Sequence, residues 1–82
     1  MTYHINEIPR GEFGELSKIQ EEVLEAIDSE KQNNRIMLLV ELSDIIGAVS
    51  GYLEKHYPNF KIDDLITMAE ATHRAFASGT RK

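Results

Sequence analysis

Apolar residues recur at helical spacing through most of this chain. Leu16, Ile19, Val23, Leu24 and Ile27 follow the period of one helix face and predict a first helix from about Phe13 to Ser29. Asp28 to Asn34 is polar throughout and reads as a connection, with Asn33 or Asn34 placed to cap a second helix. From Ile36 to Val49 only Glu41, Ser43 and Asp44 carry polar side chains, so this second helix, about Arg35 to His56, is apolar nearly all round and expects burial on several sides. Tyr57-Pro58-Asn59 ends it, because proline disfavours helix in the preceding residue. A third helix of about Ile62 to Ser78 opens on Asp63 and Asp64, which suit the positive end of the helix dipole, and stops at Gly79. Pro9, Gly11 and Gly14 mark an extended arm over 1–12 and then a turn. The alternation Tyr3-His4-Ile5-Asn6 is too short to be a strand, and 79–82 reads as a flexible tail. The expected fold is all-α, a small bundle of about three helices in a single domain over 1–82. The second helix has more apolar surface than two short neighbours need, so the bundle is expected to be completed by homo-oligomerisation.

Composition narrows the function classes. With 82 residues, one domain is the natural count, and a lone monomer of this size is marginal. The net charge of −5, from 14 acids against 9 bases, argues against a nucleic-acid polymer as partner. Cysteine is absent, which excludes disulfides and thiolate metal sites and fits a cytoplasmic location. No uninterrupted apolar run approaches the roughly 18 residues of a membrane span, and Met1 to Arg10 does not resemble a signal peptide, so no membrane association is expected.

The candidate chemistry lies in two acidic pairs, Glu22-Val23-Leu24-Glu25 and Glu41-Leu42-Ser43-Asp44. In each pair the carboxylates sit three residues apart, one turn along the same helix face, where like charges repel. On a helical wheel Glu21, Glu22 and Glu25 lie opposite Leu16, Ile19, Val23 and Ile27, and taken alone they read as a solvated face. Glu41 and Asp44 are harder to dismiss, since they interrupt an otherwise apolar helix and an unpaired buried carboxylate is costly. One or two hard cations such as Mg²⁺, held by all four acids, would explain both pairs and would suit phosphate chemistry.

The run Glu21-Glu22-Val23-Leu24-Glu25, fifteen residues, then Glu41-Leu42-Ser43-Asp44, resembles the EExxE…ExxD signature of the MazG-like nucleotide pyrophosphohydrolases. These belong to the all-α NTP pyrophosphatase superfamily, with the dimeric all-α dUTPases and the phosphoribosyl-ATP pyrophosphohydrolases. The resemblance covers about Gly14 to Tyr52. Glu41 to Arg81 is also similar to short MazG-like proteins of bacteriophages, which implies the cytoplasm of a bacterium or of a phage-infected cell. By resemblance, Glu22 and Glu25 form the first metal-binding pair and Glu41 and Asp44 the second. Glu21 matches a further glutamate that orients or deprotonates the attacking water. The implied cofactor is Mg²⁺, with Mn²⁺ as substitute. The implied activity converts an NTP or dNTP to the monophosphate and pyrophosphate, in a homodimer or homotetramer. The larger members have a fourth helix that this chain lacks, so the missing wall is expected from another subunit.

The remaining candidates are individually weaker. Arg74, with His73, Arg81 and Lys82, carries cations suited to nucleotide phosphates, although cations near a helix C-terminus are favourable without any ligand. Tyr52, Phe60 and Phe76 could stack on a base or serve as core. Gly47 and Gly51, four apart in the second helix, suit close helix contact. The histidines show no zinc spacing, and Gly11 and Gly14 do not form a P-loop. Two other readings stand beside the pyrophosphohydrolase: a phosphoribosyl-ATP pyrophosphohydrolase-like enzyme, and a non-catalytic helical interaction module.

Overall fold

The computed structural model describes residues 7–79, and these form three α-helices with no strand among them: α1 (Leu16–Lys31), α2 (Arg35–His56) and α3 (Ile62–Ala77). The alternation at Tyr3 to Asn6 and the basic residues Arg81 and Lys82 lie outside the described residues. The all-α expectation holds, with shifts at the ends of α1. That helix starts later than predicted because Phe13 and Gly14 form a turn in which Gly14 takes φ +92°, a left-handed conformation open to glycine. It runs on to Lys31 because a polar stretch is not thereby a loop; the amide of Gln32 donates to Asp28 Oδ2 at 2.8 Å along the same face.

The turn from α1 to α2 divides two roles between two asparagines. Asn33 adopts φ +56°, which asparagine tolerates better than most residues, while the side chain of Asn34 accepts from the Met37 N–H at 3.1 Å and caps α2. So short a connection makes α1 and α2 an antiparallel hairpin. At its open end Glu15 ties the two helices together, accepting from Lys55 and contacting His56 Nε2 at 3.1 Å. Gly51 lies directly beneath the Phe13 ring, leaving no room for a Cβ, so its expected close-contact role is met by an aromatic ring. Gly47 faces open space within the chain. At the start of α3 the Lys61 N–H donates to Asp64 at 2.8 Å, and Gly79 closes the helix at φ +80°. This helix touches α2 but not α1 and has no buried residue.

The distribution of burial is the reverse of an ordinary hairpin. Among the described residues the buried apolar side chains are Ala26, Ala48 and Leu53, whereas Glu21, Glu22, Asp28, Ser29 and Glu41 are buried. Leu16, Val23 and Ile27 of α1 are exposed, as are Ile36, Leu39, Val40, Leu42 and Ile46 of α2. The wheel correctly sets the acids of α1 opposite its apolar residues. The solvated-face reading of Glu21 and Glu22 is overturned, because the acidic side is the one turned toward α2 and the arm. Exposed apolar residues therefore line the outside of both helices, Leu16, Val23 and Ile27 on α1 and Leu42 and Ile46 on α2.

α2 is also the described helix with the length and apolarity of a membrane span, at a mean hydropathy of 1.7. The expectation drawn from uninterrupted apolar runs understates it, since Glu41 and Asp44 are the only charged residues between Arg35 and Glu54.

Candidate metal centre

The hairpin brings the two acidic pairs together. Glu22 and Glu25 come from the α1 face toward α2, and Glu41 and Asp44 from the facing side of α2. Carboxylate oxygens of Glu22, Glu41 and Asp44 all lie within 4.8 Å of one another, and so do those of Glu21, Glu22 and Glu25. Glu22 belongs to both sets and is their hinge. It is 6% exposed and Glu41 3%, while Asp44 stands at the exposed rim. Glu25 stands beside both Glu22 and Glu41 and interacts electrostatically with each.

The charge state of the cluster reflects this crowding. Burial pushes the Glu22 carboxyl above the usual carboxylate range; Lys18 pulls it back only in part and Glu25 adds to the rise. Burial likewise raises Glu25; its contact with Glu22 opposes the rise and Glu41 reinforces it. Glu21 goes the other way. Burial opposes its ionisation, but the Gly11 N–H, donating to Oε1 at 2.8 Å, and Lys18 at 3.3 Å outweigh it and hold the carboxyl below its ordinary range.

Whether these residues fit a metal turns on Glu22. Its Oε1 pairs with Lys18 Nζ at 3.1 Å. Its Oε2 is buried and has no hydrogen-bond partner among the described residues. A buried acceptor without a donor is destabilising, and in a cluster of oxygens it fits a hard cation. The donor set is all carboxylate, with no sulfur or imidazole in either group, which suits Mg²⁺ or Mn²⁺ over zinc.

The other predicted site residues fall in different places. Tyr52 shares the inner face of α2 with Glu41, about three turns further on, and its ring stacks on His56 with centroids 4.4 Å apart. Arg74 is exposed on α3, in a shallow hollow of 390 Å³ with Ile66, Ala69, Glu70 and His73, and none of the clustered carboxylates lines that hollow. Within one chain Arg74 is therefore not brought to the acidic cluster. Two contributors go unnoticed in the sequence. Lys18, three and four residues before Glu21 and Glu22, carried a signal in its spacing. Gly11 carried none, since its role depends on the arm folding back along α1.

No family model, curated protein or solved structure matches this chain. The likeness to the MazG-like enzymes therefore rests on the order and spacing of five acids.

Proposed function

We propose that this protein is a Mg²⁺-dependent nucleoside triphosphate pyrophosphohydrolase, releasing pyrophosphate and leaving an NMP or dNMP. One observation carries the reading: two groups of acids from separate helices share Glu22, whose buried Oε2 has no hydrogen-bond partner among the described residues. Glu22, Glu25, Glu41 and Asp44 would hold the cation, with Mn²⁺ as substitute. The ion supplies neutralisation of the triphosphate and acidification of the attacking water. Glu21, beside this set and anchored by the Gly11 N–H, would orient that water and accept its proton. Its lowered pKa keeps it ionised near neutral pH and so able to accept a proton, at the expense of basicity.

The assembly is part of the proposal. Among the described residues the fully buried apolar core is small, Ala26, Ala48 and Leu53. The exposed apolar residues Leu16, Val23 and Ile27 of α1 and Leu42 and Ile46 of α2 fit packing against a second copy, giving a homodimer or homotetramer. A lipid environment suits α2 less, because it would place Glu41 and Asp44 in hydrocarbon. A cytoplasmic location goes with this reading.

The test is pyrophosphate release from a panel of canonical and damaged NTPs and dNTPs, with and without Mg²⁺, using a Glu41→Ala, Asp44→Ala variant as control. Release that requires Mg²⁺ and disappears in the variant supports the enzyme. Absence of release across the panel, together with unchanged Mn²⁺ affinity in the variant, favours the interaction module.

A further inference from the structure

Lys18 is the cation that holds the carboxylates of α1 together. Its ammonium lies 3.1 Å from Glu22 Oε1 and 3.3 Å from Glu21 Oε1, bridging two buried acids from one turn below them. The side chain is 28% exposed, so it reaches the cluster from the rim and has an open path away from it. Glu22 belongs to both groups of converging oxygens, so the atom that Lys18 occupies belongs to the residue a divalent ion would need most. A lysine ammonium and a divalent cation are both hard, strongly hydrated cations, and with one on Oε1 and the other on Oε2 of a single carboxylate they lie close enough to repel.

We infer that Lys18 is the resident counter-cation of the metal-free site and that a divalent ion displaces it from Glu22. This rests on the metal reading above and adds a residue to it. In the metal-free protein Lys18 partly neutralises the buried acids and lets the hairpin close. On loading, the ion takes over that neutralisation and the ammonium swings outward to the rim. Lys18 is thus a positioning residue that lowers metal affinity while stabilising the empty site. A merely structural salt bridge would stabilise both forms alike and leave metal affinity unchanged.

Titration calorimetry with Mg²⁺ and with Mn²⁺, on the full chain and on Lys18→Met, tests the inference alongside thermal melts in EDTA. The expected result is a lower melting temperature for the metal-free variant, together with about tenfold tighter divalent binding, the scale of one partly buried ion pair. If Lys18→Met does not fold, amine acetylation of the wild-type protein gives the same information. Lys18 should be modified severalfold faster at saturating Mg²⁺ than in EDTA, with exposed Lys61 unchanged. Equal or weaker metal binding by Lys18→Met, or unchanged labelling of Lys18 on Mg²⁺ saturation, overturns the inference. Absence of Mg²⁺ and Mn²⁺ binding by the wild type overturns it by a separate route, through failure of the metal centre itself.

Discussion

Glu22→Gln separates two roles that one carboxylate plays in opposite directions. The substitution keeps the shape of the side chain and removes its charge. Glu22 shares with Glu41 and Asp44, and with Glu21 and Glu25, a space in which ligand oxygens lie within 4.8 Å. At that separation a pair of like charges repels by about 3 kcal/mol at an effective dielectric near 20. Lys18 at 3.1 Å returns an attraction of about 5 kcal/mol on the same footing, more than any one carboxylate opposes but less than the several that crowd Glu22 together, and the variant also loses it. Burial then tips the balance, since Glu22 is 6% exposed and its carboxyl is pushed above the ordinary range. The net effect of neutralising it in the metal-free protein is a gain on the order of 1 kcal/mol, or about 4–8 °C in Tm for a domain of this length. Loading with Mg²⁺ reverses the sign, because the variant has lost a charged ligand, and about a hundredfold weaker binding is expected, or ~3 kcal/mol. Differential scanning fluorimetry reads both effects in two buffers. In EDTA the variant melts above wild type; in saturating Mg²⁺ it melts below. A variant less stable than wild type in EDTA would refute the electrostatic reasoning, and an unchanged order in Mg²⁺ would remove Glu22 from the metal set.

Three further outcomes are expected. Glu21→Gln keeps Mg²⁺ and nucleotide binding but loses turnover by about a hundredfold, measured by pyrophosphate release, and near wild-type turnover would take it out of the chemistry. The metal-free protein loses stability as pH rises above 4.5 toward neutrality: the raised carboxyls of Glu22 and Glu25 bind more protons folded than unfolded in that window, so their contribution is largest below 4.5. Glu21, shifted the other way, contributes above 4.5 and is lost as pH falls below it; Mg²⁺ should abolish the decline in thermal melts run across the window. Finally, Ile46→Asp should turn an oligomer into a monomer in sedimentation, since Ile46 is 56% exposed within the chain and an aspartate there puts a charge on the apolar surface. A wild-type protein that sediments as a stable monomer at micromolar concentration would sink the assembly.

What the sequence made legible, and what it hid, divides along a physical line. Features set by neighbours in the chain were readable. α2 begins and ends at Arg35 and His56 as its apolar run, Asn34 and Pro58 indicate. α3 stops at Ala77, one residue before the expected end and two before Gly79. Features set by two helices at once were not. The wheel of α1 places acids opposite apolar residues and says nothing about which side meets a neighbour. The usual assumption that the apolar side turns inward gives the wrong sense here. The spacing of the four acids did indicate that they lie near one another, and the hairpin brings carboxylate oxygens together in two groups that share Glu22. Arg74 was singled out for its charge, yet α3 has no contact with α1 and the clustered acids do not line the hollow around Arg74.

An inverted hairpin carries two unmet requirements, and they are mechanically connected. Inside, the acids of α1 and α2 repel across the helix contact; outside, Val23 and Ile27 of α1 and Leu42 and Ile46 of α2 are left in water. A cation between Glu22, Glu25, Glu41 and Asp44 would draw the two helices together and fix the angle between them. The apolar flank is made from the same two helices, so its shape is fixed by the same event. A partner copy that packs on this flank selects one helix angle and thereby favours the spacing the ion needs. Binding of either should then tighten binding of the other by an equal factor, as linkage requires. Sedimentation equilibrium in EDTA and in Mg²⁺ measures one side of that cycle, and Mg²⁺ titration at protein concentrations below and above the dimer midpoint measures the other. The expected coupling is about 1–3 kcal/mol, or roughly 5- to 150-fold in either constant. Self-association that is identical with and without Mg²⁺ would show that the flank is already rigid and that the two requirements are met independently.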